Sequence, residues 1–135
     1  MRNSHAGYSY SGPCAAWAYK ALDLRSAKRV FILGPSHTYY LRGCALTSFD
    51  KYETPFGDLV VDNATTSELR QTNRFSEMPK RSDVSEHSLE MHLPYLRKRL
   101  EQTFGDGDYP PLFLYSLATR PRTRRNLGAS SYQST

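Results

Sequence analysis

Cysteine is scarce in this sequence: only Cys14 and Cys44 occur, with no Cys-x-x-Cys pair. That rules against a disulfide framework and against a cysteine-built zinc site, and reduced thiols are the expectation. Long apolar runs are missing as well. The run Val30 to Leu33 is far too short to cross a bilayer, and the first fifteen residues are polar and aromatic, unlike a signal peptide. The expectation is a soluble protein of the cytoplasm, or of the nucleus, with no membrane span. Internal repeats and low-complexity tracts are absent too.

Acidic residues stop at Asp108, and this decides how the formal charge of +5 is read. Four of the 18 basic residues, Arg120, Arg122, Arg124 and Arg125, follow that point, so residues 1–117 hold 14 basic against 13 acidic groups. A nearly neutral body of this kind disfavours nucleic-acid binding. What is abundant is aromatic: ten tyrosines and six phenylalanines in 135 residues, with 39% hydrophobic content, enough for one modest core. The division expected is a single domain over 1–117 and a basic, disordered tail over 118–135.

The pattern along the chain alternates helix and strand. Cys14, Trp17, Ala18, Ala21 and Leu22 recur at helical spacing behind a Ser11-Gly12-Pro13 start, which predicts a first helix with that stripe buried. Val30 to Leu33, apolar on both faces and stopped by Gly34-Pro35, reads as a central strand of a parallel sheet. Cys44 to Ser48 and Leu59 to Val61 are further strand candidates, and Asp62 caps a helix running to Arg70. Residues 73–84 read as irregular. A third helix is expected from Ser85 to Gln102 with Leu89, Leu93, Leu96 and Leu100 as its buried ridge, kinked or broken at Pro94. A last strand begins near Pro111. The fold class is therefore α/β, a mostly parallel sheet flanked by helices.

Four histidines, His5, His37, His87 and His92, lie beside small, polar or acidic residues and outside apolar runs. Neutral imidazole is a common ligand for iron, copper and zinc. His37 follows a strand through a rigid Gly-Pro-Ser turn, and ligands in open α/β sheets sit beyond the carboxyl ends of strands. His5 lies in a loop with Gly7, Gly12 and the hydroxyls of Tyr8 and Tyr10. His87 and Glu90, three residues apart, share one face of the expected helix, where the carboxylate orients the imidazole for general-base work or beside a metal. The five-residue separation of His87 and His92 does not fit the His-Glu-x-x-His zinc helix.

Three blocks, His-Ala-Gly-Tyr-Ser-Tyr-Ser-Gly (5–12), Phe-Ile-Leu-Gly-Pro-Ser-His (31–37) and Glu-His-Ser-Leu-Glu-Met-His-Leu-Pro-Tyr (86–95), together resemble the Memo family, named for mediator of ErbB2-driven cell motility. The resemblance runs from about residue 4 to 112 and implies the fold of class III extradiol dioxygenases. It implies iron or copper held by His5, His37 and a far-downstream cysteine, with Tyr10 lining the pocket; Ser36 is added as a ligand-binding candidate, and His87, Glu90 and His92 are the catalytic candidates expected around that pocket. Neither Cys14 nor Cys44 matches that cysteine, and the family's later Ser-Asp-x-x-His block has no counterpart. By the same resemblance the sequence reads as truncated at both ends, with a parent that is a redox or dioxygenase-like protein acting on a small molecule. The alternatives it leaves are a non-enzymatic signalling adaptor that binds phosphotyrosine peptides, and an inactive fragment.

Overall fold

The computed structural model describes residues 7–105, 109, 110 and the backbone of 112–117. His5 and the tail from Ala118 lie outside the described residues, so the expectations placed on them are not addressed by the fold. The elements run α1 (Tyr8–Lys20), β1 (Val30–Pro35), β2 (Cys44–Leu46), β3 (Lys51–Tyr52), β4 (Leu59–Val60), α2 (Asn63–Gln71), β5 (Phe75–Glu77), α3 (Lys80–Ser85), a 3-10 turn (Glu90–His92), α4 (Leu93–Phe104) and β6 (Leu112–Leu117).

Four strands form the main sheet in the order β1-β6-β2-β5. β1 runs parallel to β6 from Val30↔Leu112 to Pro35↔Leu117, β2 is antiparallel to β6, and β2 is parallel to β5. The sheet is thus mostly parallel, as expected of an α/β fold. One expectation needs correcting: β1 stands at the edge of the described sheet, not at its centre, with Phe31 and Leu33 more than half exposed. A run apolar on both faces does not by itself tell an edge from a centre. β3 and β4 pair separately as a small antiparallel hairpin.

The main core gathers Tyr19, Leu24, Ile32, Leu59, Val61 and the ridge Leu89, Leu93, Leu96 and Leu100. That ridge lies as its spacing predicts, but the continuous helix does not form. The chain turns through residues 86–89, takes one 3-10 turn, and begins α4 at Leu93 with Pro94 in the first turn. A proline there loses nothing, because the first amides of a helix have no partner within it. Residues 73–84 are also more ordered than their composition predicts: β5 pairs with β2, and α3 turns Asp83 inward.

α1 is the largest correction. It begins at Tyr8, so Pro13 falls inside it, and it buries Ser11, Gly12, Ala15 and Tyr19. The expected stripe points the other way, with Trp17 70% exposed beneath the Lys20 ammonium. Small side chains let α1 come close to α4: the Tyr95 hydroxyl donates to the Gly12 carbonyl at 2.9 Å, and the Tyr95 ring stacks on Tyr19. Apolar spacing alone does not show that close approach selects serine and glycine over tryptophan.

Asp62 behaves as its position predicts. Its carboxylate accepts from the Thr65 amide at 3.0 Å and from Arg29 Nε at 3.0 Å, closing the start of α2 and tying it to the entrance of β1. Replacing it by alanine is expected to cost about 1 kcal/mol, the usual value of a lost helix cap, measured by urea denaturation.

Candidate functional site

Glu86 organises the site. It is 3% exposed and sits just after α3, at the start of the turn 86–89. Oε1 accepts from His37 Nδ1 at 2.8 Å and from the amides of His87 and Ser88, each at 3.1 Å. Oε2 accepts from the amides of His37 and Thr38. Burial raises the pKa of this carboxyl, but the hydrogen bonds from the His37 ring, the His37 amide and Ser88 outweigh it and hold it down at about 2.

An ionised carboxylate has no proton to give, so the proton between Glu86 and His37 resides on Nδ1 of the imidazole. In the neutral ring this makes Nε2 the nitrogen with the lone pair. The His87 ring stacks on that of His37 at 4.6 Å between centroids, tilted by 19°. The donor atoms of His37, Glu86 and His87 all lie within 4.8 Å of one another. Glu86, however, already accepts five hydrogen bonds, so its chemistry is that of a carboxylate fixing an imidazole and not of a metal ligand.

The Gly-Pro-Ser-His turn is held by Ser36, whose hydroxyl is buried and donates to the Tyr39 carbonyl at 2.6 Å. Residues Ser36 to Leu41, His37 among them, line a cavity of about 210 Å³ with no lysine, arginine or carboxylate in its wall. Tyr10, by contrast, is 86% exposed on α1.

His87 and Glu90 do not share a helix face. The carboxylate beside His87 is Glu86, with Nδ1 at 3.9 Å, while Glu90 lines a groove with Phe49 and Tyr52 that Glu86 borders and His87 does not. His92 meets Tyr19, with Nδ1 2.9 Å from the hydroxyl, in an apolar cleft of about 580 Å³ along β1. The structure therefore joins His37 and His87 through Glu86 and sets His92 and Glu90 in other surroundings. Glu86 is the residue that sequence reasoning passed over. Its signal was its place directly before His87, but its partner lies 49 positions away.

A second buried network braces the same region. The Thr47 hydroxyl donates to Asp83 Oδ2 at 2.6 Å and the Tyr52 hydroxyl to Oδ1 at 2.9 Å, joining the β2–β3 connection to α3 three residues before Glu86. Burial raises the Asp83 carboxyl above its ordinary range, against the lowering effect of the two hydroxyls.

Residues 3–105 match the family model described as Memo-like protein. The chain belongs to the Memo family. Relatives include Protein MEMO1 of Homo sapiens, 52% identical over 114 residues, and Protein MEMO1 of Xenopus laevis, 47% identical over 114 residues, each alignment covering 84% of this chain and 38% of the relative. The Protein memo-1 homolog of Caenorhabditis elegans is 53% identical over 94 residues, which is 70% of this chain and 27% of the homolog. The chain thus spans well under half the length of these Memo relatives. Among the described residues no helix is long and apolar enough to cross a membrane.

Proposed function

We propose that the Memo protein represented by this chain is a metal-binding, redox or dioxygenase-like protein, with His37 as a ligand to iron or copper. His5 would be the second imidazole, as the family resemblance implies. The observation that carries the reading is the Glu86–His37 pair: a buried, ionised carboxylate fixes the imidazole so that Nε2 carries the lone pair a metal needs. Such a carboxylate also favours a cation at the neighbouring position over a dianionic phosphate, which sets the metal reading ahead of the phosphotyrosine adaptor. His87, stacked on His37, is the candidate for moving a proton beside it. Iron or copper, when bound, would supply the redox and Lewis-acid chemistry that these side chains lack.

The test is metal retention. The chain is loaded anaerobically with ferrous or cupric ion, desalted and analysed for bound metal. With two imidazoles as the ligands, retention in the wild type is expected to be weak, but above that of a His5→Ala, His37→Ala double variant. Glu86→Gln should weaken affinity roughly 10- to 100-fold, as loss of a carboxylate behind a ligating imidazole does. Equal retention in the wild type and the double variant would defeat the proposal. Tight binding of a phosphotyrosine peptide over its unphosphorylated form, without metal, would put the adaptor in its place.

A further inference from the structure

The two edges of the main sheet differ in kind. β5, at one end of the order, is three residues long, reads Phe75-Ser76-Glu77 and carries an exposed carboxylate. Short, charged edge strands resist pairing with further chains. β1, at the other end, is six residues long and uncharged, and no described strand pairs with its outer edge. Phe31 and Leu33 are 54% and 57% exposed on one of its faces. None of the usual guards against edge pairing, a lysine, a bulge or a proline, interrupts Val30 to Gly34.

The cleft of about 580 Å³ follows this open edge. Every residue from 29 to 35 lines it in succession, and Tyr19, Leu22, Leu24 and Ala27 add an apolar wall. Successive side chains of a strand point to opposite faces, so a cleft touched by all of them runs along the backbone edge and not over one face. The donors and acceptors of a backbone edge are met by another strand. β1 itself is a strand of the apolar kind this cleft admits. A two-fold axis through Ile32, normal to the sheet, makes it self-complementary. In the antiparallel pair so formed, Ile32 meets its own copy, Phe31 meets the partner's Leu33, and Val30 meets the partner's Gly34, which leaves Pro35 outside the paired core. The body of the molecule, with 14 basic against 13 acidic groups over residues 1–117, opposes this little by charge. Because β5 is guarded, pairing through β1 closes at two copies.

We propose that two copies of this chain associate through β1, antiparallel and centred on Ile32, joining their sheets into one across the cleft. Sedimentation equilibrium of the full chain, over about a hundredfold range of concentration, should show a reversible monomer–dimer equilibrium and nothing larger. One strand pair makes a small interface, so the association belongs to the weak class. Leu33→Lys, at an exposed position, should leave the circular-dichroism spectrum unchanged and weaken the dimer roughly tenfold, since a lysine then faces the partner's Phe31 in two symmetric cross-strand pairs. Adding Phe31→Glu should restore much of the loss, because each lysine then faces a glutamate across the axis. A wild type that stays monomeric throughout would overturn the proposal. If the β1 amides of that monomer were nevertheless protected from hydrogen exchange, the cleft would belong to a segment of the same chain. A dimer indifferent to Leu33→Lys, one that Phe31→Glu fails to restore, or growth beyond two copies would overturn it as well.

Discussion

Glu86→Ala is expected to destabilise the protein by about 3 kcal/mol, judged from the cost of about 1–3 kcal/mol for each buried donor left without a partner. The substitution removes the acceptor of four backbone amides and of the His37 ring together. Water can reach His37 and Thr38, which are exposed, so the sum stays well below five separate penalties. Ser88 is 1% exposed and has no such relief. Urea denaturation measures the loss, and a change below about 0.5 kcal/mol, the range of ordinary surface substitutions, would show that the turn does not depend on this carboxylate.

The same group predicts an acid limb. The folded carboxyl of Glu86 titrates at about 2, below its ordinary value of 4.5. A lowered acid stabilises the fold fully above the unfolded value, and that contribution is lost as pH falls from about 4.5 through about 2. Asp83 works in the opposite sense, since a raised carboxyl favours the fold in its protonated form. Comparing wild type with Glu86→Gln separates the two, because only the Glu86 limb disappears. Unchanged acid denaturation in Glu86→Gln would assign the limb to other groups.

Features set by short-range rules were readable in the sequence. The leucine ridge follows from its spacing, the Asp62 cap from residue type and position, and the exit of His37 from a strand through Gly-Pro-Ser. The features missed are those in which distant segments override a local rule. Pairing His87 with Glu90 assumed a helix through both, whereas the chain turns at 86–89, where Glu86 takes the amides of His37 and Thr38 from the loop after β1. In the same way α1 buries its serine and glycine because Tyr95, from α4, needs the Gly12 carbonyl. Neither partner is visible within a window of neighbouring residues.

Gly34→Ala is expected to cost about 1–3 kcal/mol, the usual range for forcing extra volume into a packed site, and to disturb the site more than the stability. A Cβ at position 34 would lie 2.7 Å from both Leu89 Cδ2 and Ser88 Oγ. Neither atom has an easy retreat: Leu89 is part of the main core, and the Ser88 hydroxyl donates to the Pro35 carbonyl at 2.6 Å. The added methyl group must therefore push the turn 86–89 away from β1. Glu86 opens that turn while His37 follows β1, so the displacement opens the Glu86–His37 contact from both sides. A shifted His37 ring resonance is the expected result, together with, on the proposed metal reading, weaker metal retention than the stability change explains. A variant that keeps wild-type metal content and wild-type His37 shifts would show that close packing at Gly34 does not set the geometry of the pair.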